Sequence, residues 1–401
     1  MELDPKFSQD YRDRNEAYFA KREIERAIQD FTQAIELYGD ADAFAYYNRG
    51  SAYYEKGIIE WAIKDLNRKI ALPQAQGDDL TNPYDPVLVV EWNRAIRDFT
   101  EAIELDPNNA EAYNARGLIY YGKREIDRAI KDYTKAIELD PNDTDAYFNR
   151  GLAYYRKGEW EQAIKDYNEA IKIDPTNVSA YINRGIIYAL EVKTERAIKD
   201  FTSVIKIDPT NAAAYFLRGR AYLDPSRIYD IERAIKDLTS AIELDPNDAT
   251  AYLIRGDAYS DIGETEQAIQ DFTSVIKIDP DKTNAYCARG DAYFHNGQIE
   301  PAIKDFTKTI ELEPDYIYAF HRRGDAYFHN GQIEPAINDL TRFIELVPDN
   351  AYAYRTRGYA YAGKKDYPRA IADVEMFVKL MPHHPWTNED RQKIEEWRSG
   401  L

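Results

Sequence analysis

The sequence contains little cysteine and no long run of apolar residues. It has one cysteine, Cys287, among 401 residues, which excludes an internal disulfide bond and favours a reducing compartment. Its apolar runs fall well short of the roughly 20 residues that a membrane-spanning helix needs. No signal peptide is visible at the start of the sequence. We therefore expect a cytoplasmic protein without membrane insertion.

Basic residues are outnumbered by acidic ones. The chain has 52 Lys and Arg residues against 71 Asp and Glu residues, which gives a formal net charge of −19. Nucleic acids are bound mainly by neutralising phosphates with Lys and Arg. We therefore expect no nucleic-acid partner, and an anionic membrane surface is disfavoured for the same reason.

Sequence motifs of catalysis and metal binding are also missing. The chain has no GxxxxGK[ST] phosphate loop, no HExxH and no CxxC. Two of its five histidines, His295 and His329, occupy the same place in adjacent copies of a repeat. Stacked helix pairs separate such positions by roughly 10 Å, whereas metal ligands must converge at about 2 Å from one ion. We expect no enzyme activity, no cofactor and no metal site.

What the sequence does contain is a repeated unit, seen most clearly in residues 144–175. Apolar residues recur there at helical spacing in two stretches that Gly158 separates, and Pro175 ends the second stretch. An Ala-Ile pair marks the second stretch of each copy, and successive pairs are 33 to 37 residues apart. A fixed period of this length is typical of stacked helical repeats, which need neighbours to bury their apolar faces.

The repeat resembles the tetratricopeptide repeat (TPR). The residues that carry the resemblance in the fifth copy are Tyr147, Gly151, Tyr154, Ala163, Tyr167, Ala170 and Pro175. The resemblance implies an all-α, right-handed α-solenoid of about eleven stacked helix-turn-helix repeats. The repeats lie near residues 8–42, 43–72, 73–109, 110–143, 144–177, 178–211, 212–248, 249–282, 283–316, 317–350 and 351–382. Residues 383–401 are expected to form a C-terminal capping helix.

The pattern is weakest near the N-terminus. Residues 73–86 carry three prolines and a glycine, which cannot form the first helix of the third repeat. Asp85 is the expected N-cap of a helix that starts at Pro86. The segment is either a degenerate first helix or a hinge or docking surface. Residues 1–5 resemble the end of a repeat, so the chain is expected to begin within an array.

Two charged positions recur in nearly every copy. An Arg precedes the glycine of the first helix, and an Asp follows each Ala-Ile pair, as Arg150 and Asp166 do in the fifth copy. We expect each Arg to pair with an Asp of a second helix, within a repeat or across to the next one.

By resemblance, the first helices build a concave groove that binds peptides. Up to the seventh repeat the exposed positions are aromatic, aliphatic and amide-bearing. An asparagine side chain there offers a donor and an acceptor to a peptide group. The later repeats are charged and include an acidic row, which either selects a basic ligand or is neutralised within the chain. The expected groove residues are Tyr47, Asn48, Tyr54, Asn114, Tyr121, Phe148, Asn149, Leu152, Tyr155, Ile182, Asn183, Ile186, Phe216, Leu217, Arg220, Asp257, Asp291, Arg322 and Asp325.

The predicted function is a non-enzymatic scaffold that binds a protein segment or peptide in this groove. Two alternatives stay open. One is a regulatory or substrate-recruiting TPR portion of a larger enzyme or assembly. The other is an architectural protein that self-associates as a homo-oligomer.

Overall fold

The computed structural model of the chain describes residues 5–38, 42–71, 86–225 and 229–399. Within these ranges the regular elements are all α-helices. They are α1 (Pro5–Tyr38), α2 (Ala43–Ala71), α3 (Pro86–Leu105), α4 (Ala110–Gly122), α5 (Ile126–Leu139), α6 (Thr144–Lys157), α7 (Trp160–Ile173), α8 (Val178–Leu190), α9 (Thr194–Ile207), α10 (Ala212–Tyr222), α11 (Ile231–Leu244), α12 (Ala249–Asp261), α13 (Thr265–Ile278), α14 (Thr283–His295), α15 (Ile299–Leu312), α16 (Ile317–His329), α17 (Ile333–Leu346), α18 (Ala351–Gly363), α19 (Tyr367–Leu380) and α20 (Thr387–Ser399).

Local sequence signals set the ends of each helix pair. In the fifth repeat, the Asp143 carboxylate accepts a hydrogen bond from the Ala146 amide at 2.9 Å and caps the start of α6. Gly158 ends α6 with φ of 81°, a left-handed conformation that glycine adopts without strain. The pair α6–α7 is therefore the helix-turn-helix that the sequence predicts, and the all-α repeat architecture is confirmed.

Glycine in the first helix allows the two helices of a pair to approach closely. A Cβ atom built on Gly151 would lie 2.7 Å from Cε1 of Tyr167, which is too close for any side chain. Tyr167 and its alanine neighbours Ala163 and Ala170 are fully buried. The core of this repeat is thus one aromatic ring packed between small residues, and Leu238, Leu340 and Val374 take the place of the ring in three later repeats.

The described residues divide into two compact units, with the boundary between Ser203 and Val204. We call them unit 1 and unit 2 and describe each by itself.

Unit 1 differs from the prediction in its first two repeats. Residues 43–72 were expected to form a helix-turn-helix, but α2 is one continuous helix, and α1 is also continuous. Consequently α3 packs on the first half of α2. A Cβ on Gly50 would lie 3.1 Å from the Phe99 ring. The first half of α2 and the helix α3 thus form one TPR-like pair. The second half of α2 lies between these two partners in the sequence. The predicted helix start at Pro86 is confirmed, whereas Asp85 lies outside the described residues.

Arg–Asp pairing within the repeats is confirmed. Arg150 donates from Nε and Nη2 to both carboxylate oxygens of Asp166, at 2.8 and 2.7 Å. Its Nη1 also donates to Oγ1 of Thr134 in the preceding repeat, at 3.2 Å. Among the described side chains the pairs are Arg49–Asp98, Arg116–Asp132, Arg150–Asp166, Arg184–Asp200, Arg218–Asp237, Arg255–Asp271, Arg289–Asp305, Arg323–Asp339 and Arg357–Asp373.

The last helix, α20, covers the end of unit 2. Ile394 is buried and Trp397 packs against the core beside it, as expected for a capping helix. Asp390 lies on the same helix, and its side chain is fully buried. It accepts hydrogen bonds from Nε of Arg355 at 2.9 Å and from the Tyr359 hydroxyl at 2.6 Å. A polar residue therefore joins the cap to the last repeat, which the amphipathic pattern alone does not indicate.

None of the helices in the described part of the chain is both long enough and apolar enough to cross a membrane.

Candidate functional site

The first helices of the pairs form one side of each unit. In unit 2, α12 contacts α14, α14 contacts α16, and α16 contacts α18. Second helices of the described chain make less contact with one another. A stack of helix pairs curves toward the side on which neighbouring pairs approach each other more closely. We call the surface formed by the exposed first-helix side chains the inner face of each unit.

The predicted groove residues are divided between two inner faces. The inner face of unit 1 comprises α2, α4, α6 and α8. It carries Tyr47, Asn48, Tyr54, Asn114, Tyr121, Phe148, Asn149, Leu152, Tyr155, Ile182, Asn183 and Ile186. The inner face of unit 2 carries Phe216, Leu217, Arg220, Asp257, Asp291, Arg322 and Asp325.

On unit 1, the groove aromatics rest on the core rings of the second helices. The Phe148 and Tyr167 ring centroids are 5.9 Å apart, and those of Tyr47 and Phe99 are 5.7 Å apart. Each of these inner-face rings is partly exposed. Because the core fixes one side of each ring, the other side is a rigid apolar surface that a ligand can contact.

Three of the expected groove asparagines, Asn48, Asn149 and Asn183, have different hydrogen-bond partners. Asn149 donates to Oδ1 of Asn114, across from α6 to α4, at 3.1 Å. Asn48 and Asn183 instead donate to main-chain carbonyls of their own helices, those of Phe44 at 2.7 Å and Ser179 at 2.9 Å. Each bond uses one side-chain N–H, so the amides keep hydrogen-bonding capacity toward a ligand.

Two buried hydroxyls behind this face were not anticipated. Tyr133 and Tyr167 are fully buried, and neither hydroxyl has a hydrogen-bond partner among the described residues. Burial raises the pKa of both phenols well above the usual range of a tyrosine. Other repeats place Phe at this position, for example Phe201 and Phe272. A Tyr at this position is therefore the sequence signal that identifies the two buried hydroxyls.

On unit 2, one member of the acidic row is already neutralised. Nε of Arg322 donates to Oδ1 of Asp291, and Nη2 lies 3.3 Å from Nε2 of His295. The guanidinium carbon lies 5.4 Å from the centre of the Phe294 ring. Arg322 belongs to the next repeat, and it is held by a carboxylate, an imidazole and an aromatic ring of this one.

The other two members of the row lack such an arginine. Asp257 has no ion-pair partner among the described residues and lines a cavity of about 500 Å³ with Asp261, Asp291 and His295. Burial in this concavity, together with the charge of Asp261, raises the pKa of Asp257 to about 6. Arg220 stacks on Phe216 at 5.7 Å, and no ion pair joins it to Asp257 in the described structure.

Asp325 lies beside a histidine that does not neutralise it. Nε2 of His321 is 3.5 Å from Oδ2 of Asp325. Neither His321 nitrogen nor Oδ1 of Asp325 has a hydrogen-bond partner among the described residues. His321 is 8% exposed and stacks on Phe343, with 4.7 Å between ring centroids. Burial lowers the pKa of His321, which favours the neutral imidazole over a charged one that would form an ion pair with Asp325.

These features define a helical-repeat scaffold, and family models identify the repeat. The model described as a TPR repeat matches residues 91–123, 125–158, 151–190, 256–297, 290–331 and 324–365, more than half of the chain. Models described as tetratricopeptide repeat match residues 16–79, 178–211 and 238–270. The chain therefore belongs to the tetratricopeptide repeat family, whose arrays are in general protein-interaction scaffolds.

Solved structures of TPR proteins are similar to parts of the chain. YrrB, described as a TPR protein with an unusual peptide-binding site, is 25% identical over 47% of this chain and 96% of its own, with a TM-score of 0.43. MamA is 32% identical over 43% of this chain and 92% of its own, with a TM-score of 0.40. A tetratricopeptide repeat protein from Parabacteroides merdae ATCC 43184 is 19% identical over 63% and 98%, with a TM-score of 0.44. A search of curated proteins gave no match.

Proposed function

We propose that the chain is a non-enzymatic scaffold whose inner faces bind an extended or helical segment of a partner protein. The observation that carries this proposal is the rigid, partly exposed set of aromatic, aliphatic and amide side chains on the inner face of unit 1. The Arg–Asp pairs and the glycine–aromatic packing use other positions of the same helices. The inner-face side chains thus take no part in these two recurring contacts, and their exposed sides are available for a ligand.

The chemistry of this face suits a peptide. Phe148, Leu152 and Ile186 offer apolar contacts for side chains, and Asn149 and Asn183 offer hydrogen bonds for the main chain. An extended segment needs both, because its peptide groups lose water when it binds.

Peptide selection tests the proposal. Peptides displayed on phage are selected on the full chain and then measured against the variant Phe148→Ala/Asn149→Ala/Asn183→Ala, which changes the inner face of unit 1. Loss of central aromatic and amide contacts typically weakens binding by at least about tenfold. The matched control is Gln162→Ala/Gln267→Ala/Gln270→Ala, which removes three exposed amides from the second helices α7 and α13.

We expect enriched peptides that bind the control like the wild type and lose affinity for the inner-face variant. Enrichment that is indifferent to the inner-face variant would contradict the assignment of these residues. A chain that enriches no peptide would contradict peptide binding altogether.

A further inference from the structure

Arg322 shows how the inner face of unit 2 binds a cationic side chain. It extends from α16 to Asp291 on α14, where it lies over the Phe294 ring and beside His295. The Tyr318 ring is also close, with its centre 5.8 Å from the guanidinium carbon. The arrangement is complete within the chain, so Asp291 needs no further partner.

The carboxylate of this arrangement recurs in the repeats on either side without its arginine, with Phe328 and His329 beside Asp325 but Ser260 and Asp261 beside Asp257. Arg322 lies 31 residues after Asp291, and the residues 31 positions after Asp257 and Asp325 are Ala288 and Thr356. Neither side chain can pair with a carboxylate as an arginine does. Ala288 lines the cavity of about 500 Å³ beside Asp257, together with the apolar ring of Phe272. The space that an arginine would take is therefore open at Asp257.

A second observation marks Asp325 as incomplete. Its Oδ1 atom is buried without a hydrogen-bond partner, and the neighbouring His321, 8% exposed, has two unpartnered ring nitrogens. Arg355 adjoins Thr356, but it is held by Asp390 of the capping helix and stacks on Trp386 at 4.4 Å. Buried polar atoms without hydrogen-bond partners are costly, and a cation from outside the chain that donates to Oδ1 of Asp325 would reduce that cost.

We infer that the inner face of unit 2 binds a basic protein segment, whose Arg or Lys side chains take the two places that Ala288 and Thr356 leave open, against Asp257 and Asp325. This inference rests on the proposed function and names the class of segment. Arginine suits the places best, because its planar fork can bind a carboxylate with two hydrogen bonds and stack on a ring. At Asp325 that ring is Phe328, the counterpart of Phe294.

The geometry also sets the spacing of the two basic residues. Neighbouring first helices are about 10 Å apart, so places two repeats apart are separated by roughly 20 Å. An extended chain advances about 3.3 Å per residue. The two basic residues are therefore about six positions apart in an extended segment.

The test uses fluorescein-labelled 12-residue peptides and the full chain at physiological salt. The first peptide has two arginines six positions apart in an Ala/Ser/Gln background. The others carry glutamine or glutamate at both positions, or have the two arginines two positions apart. We expect the first peptide to bind at least about tenfold more tightly than the glutamine peptide, and the closely spaced peptide to bind more weakly than the first.

Three double variants separate this site from general attraction to an acidic protein. Asp257→Asn/Asp325→Asn should weaken binding of the first peptide at least about tenfold. Asp281→Asn/Asp315→Asn makes the same change in net charge at exposed inter-helix positions and should change affinity less than about twofold. In the variant Ala288→Arg/Thr356→Arg, the new arginines occupy the two places in the way that Arg322 occupies the place at Asp291. This variant should therefore lose the peptide while keeping its fold.

Equal binding of the arginine and glutamine peptides would overturn the inference, as would equal losses in the Asp257/Asp325 and Asp281/Asp315 variants. Equal competition by spermidine at the peptide's own concentration would overturn the assignment to a protein segment. If selected peptides bind the inner face of unit 1 but none depends on Asp257 or Asp325, this inference fails and the proposed function stands. If no peptide binds either face, both fail.

Discussion

The Arg150–Asp166 pair allows the structural role of the repeated charges to be measured. The Asp166 side chain is 6% exposed and that of Arg150 is 16% exposed. Burial raises the pKa of Asp166, and the Arg150 guanidinium opposes that shift. Removing one partner of a buried pair costs about 3–5 kcal/mol, because the other charge stays buried without a partner.

For Asp166→Ala we expect a loss of about 3 kcal/mol, the lower end of that range. Arg150 keeps some exposure to water and its hydrogen bond to Thr134, which reduces the cost. For Arg150→Met we expect a similar or larger loss, because Asp166 is more deeply buried. The double variant Arg150→Met/Asp166→Leu should recover about 2 kcal/mol relative to the sum of the single variants.

Hydrogen exchange followed by mass spectrometry is the suitable assay, since repeat arrays need not unfold in a single cooperative transition. The single variants should increase exchange in α5, α6 and α7, the helices that this network joins, and the double variant should restore protection. Single variants that lose less than about 0.5 kcal/mol, the range of ordinary surface substitutions, would refute a structural role for the pair.

Three further predictions follow from packing, capping and protonation. Gly151→Ala should lower stability by about 1–3 kcal/mol in urea unfolding, because the new Cβ would lie 2.7 Å from the Tyr167 ring; a neutral result would mean that the helices of this pair are not so close. Asp390→Ala should speed hydrogen exchange throughout α20 while leaving α12 unchanged, because Arg355 and Tyr359 lose their shared acceptor. Asp257→Asn should raise the melting temperature at pH 7 but not at pH 4. The pKa of Asp257 is about 6 in the folded chain against about 3.9 unfolded, so its ionisation costs stability as pH rises through that window. An equal gain at both pH values would contradict this account.

The repeats from the fourth onward could be predicted because the same local signals recur in each of them. Gly151 and Tyr167 show why: close approach of two helices requires a glycine opposite a ring, and a fixed spacing reveals both residues. The continuous helix α2 could not be predicted in this way. Its first half carries the first-helix pattern, but Asp98 and Phe99 of α3 fill the places of the second helix.

The sequence predicts which residues lie on the inner faces, but it does not predict how their charged side chains pair. Helical periodicity places Asp257, Asp291 and Asp325 in one row. It does not reveal that Arg322 forms its ion pair with the middle one, because that pairing depends on a side chain of the next repeat. Asp390 illustrates the same limit, since its partner Arg355 is 35 residues away in sequence.

Cross-linking tests the central claim most directly. A selected peptide that carries a benzophenone group is bound to the full chain, irradiated, and mapped by mass spectrometry. If the inner faces bind the partner segment, the cross-links fall on first helices such as α6, α8, α12 and α14, and an excess of unlabelled peptide removes them. Cross-links that fall mainly on the second helices α7, α9, α13 and α15 would contradict the claim.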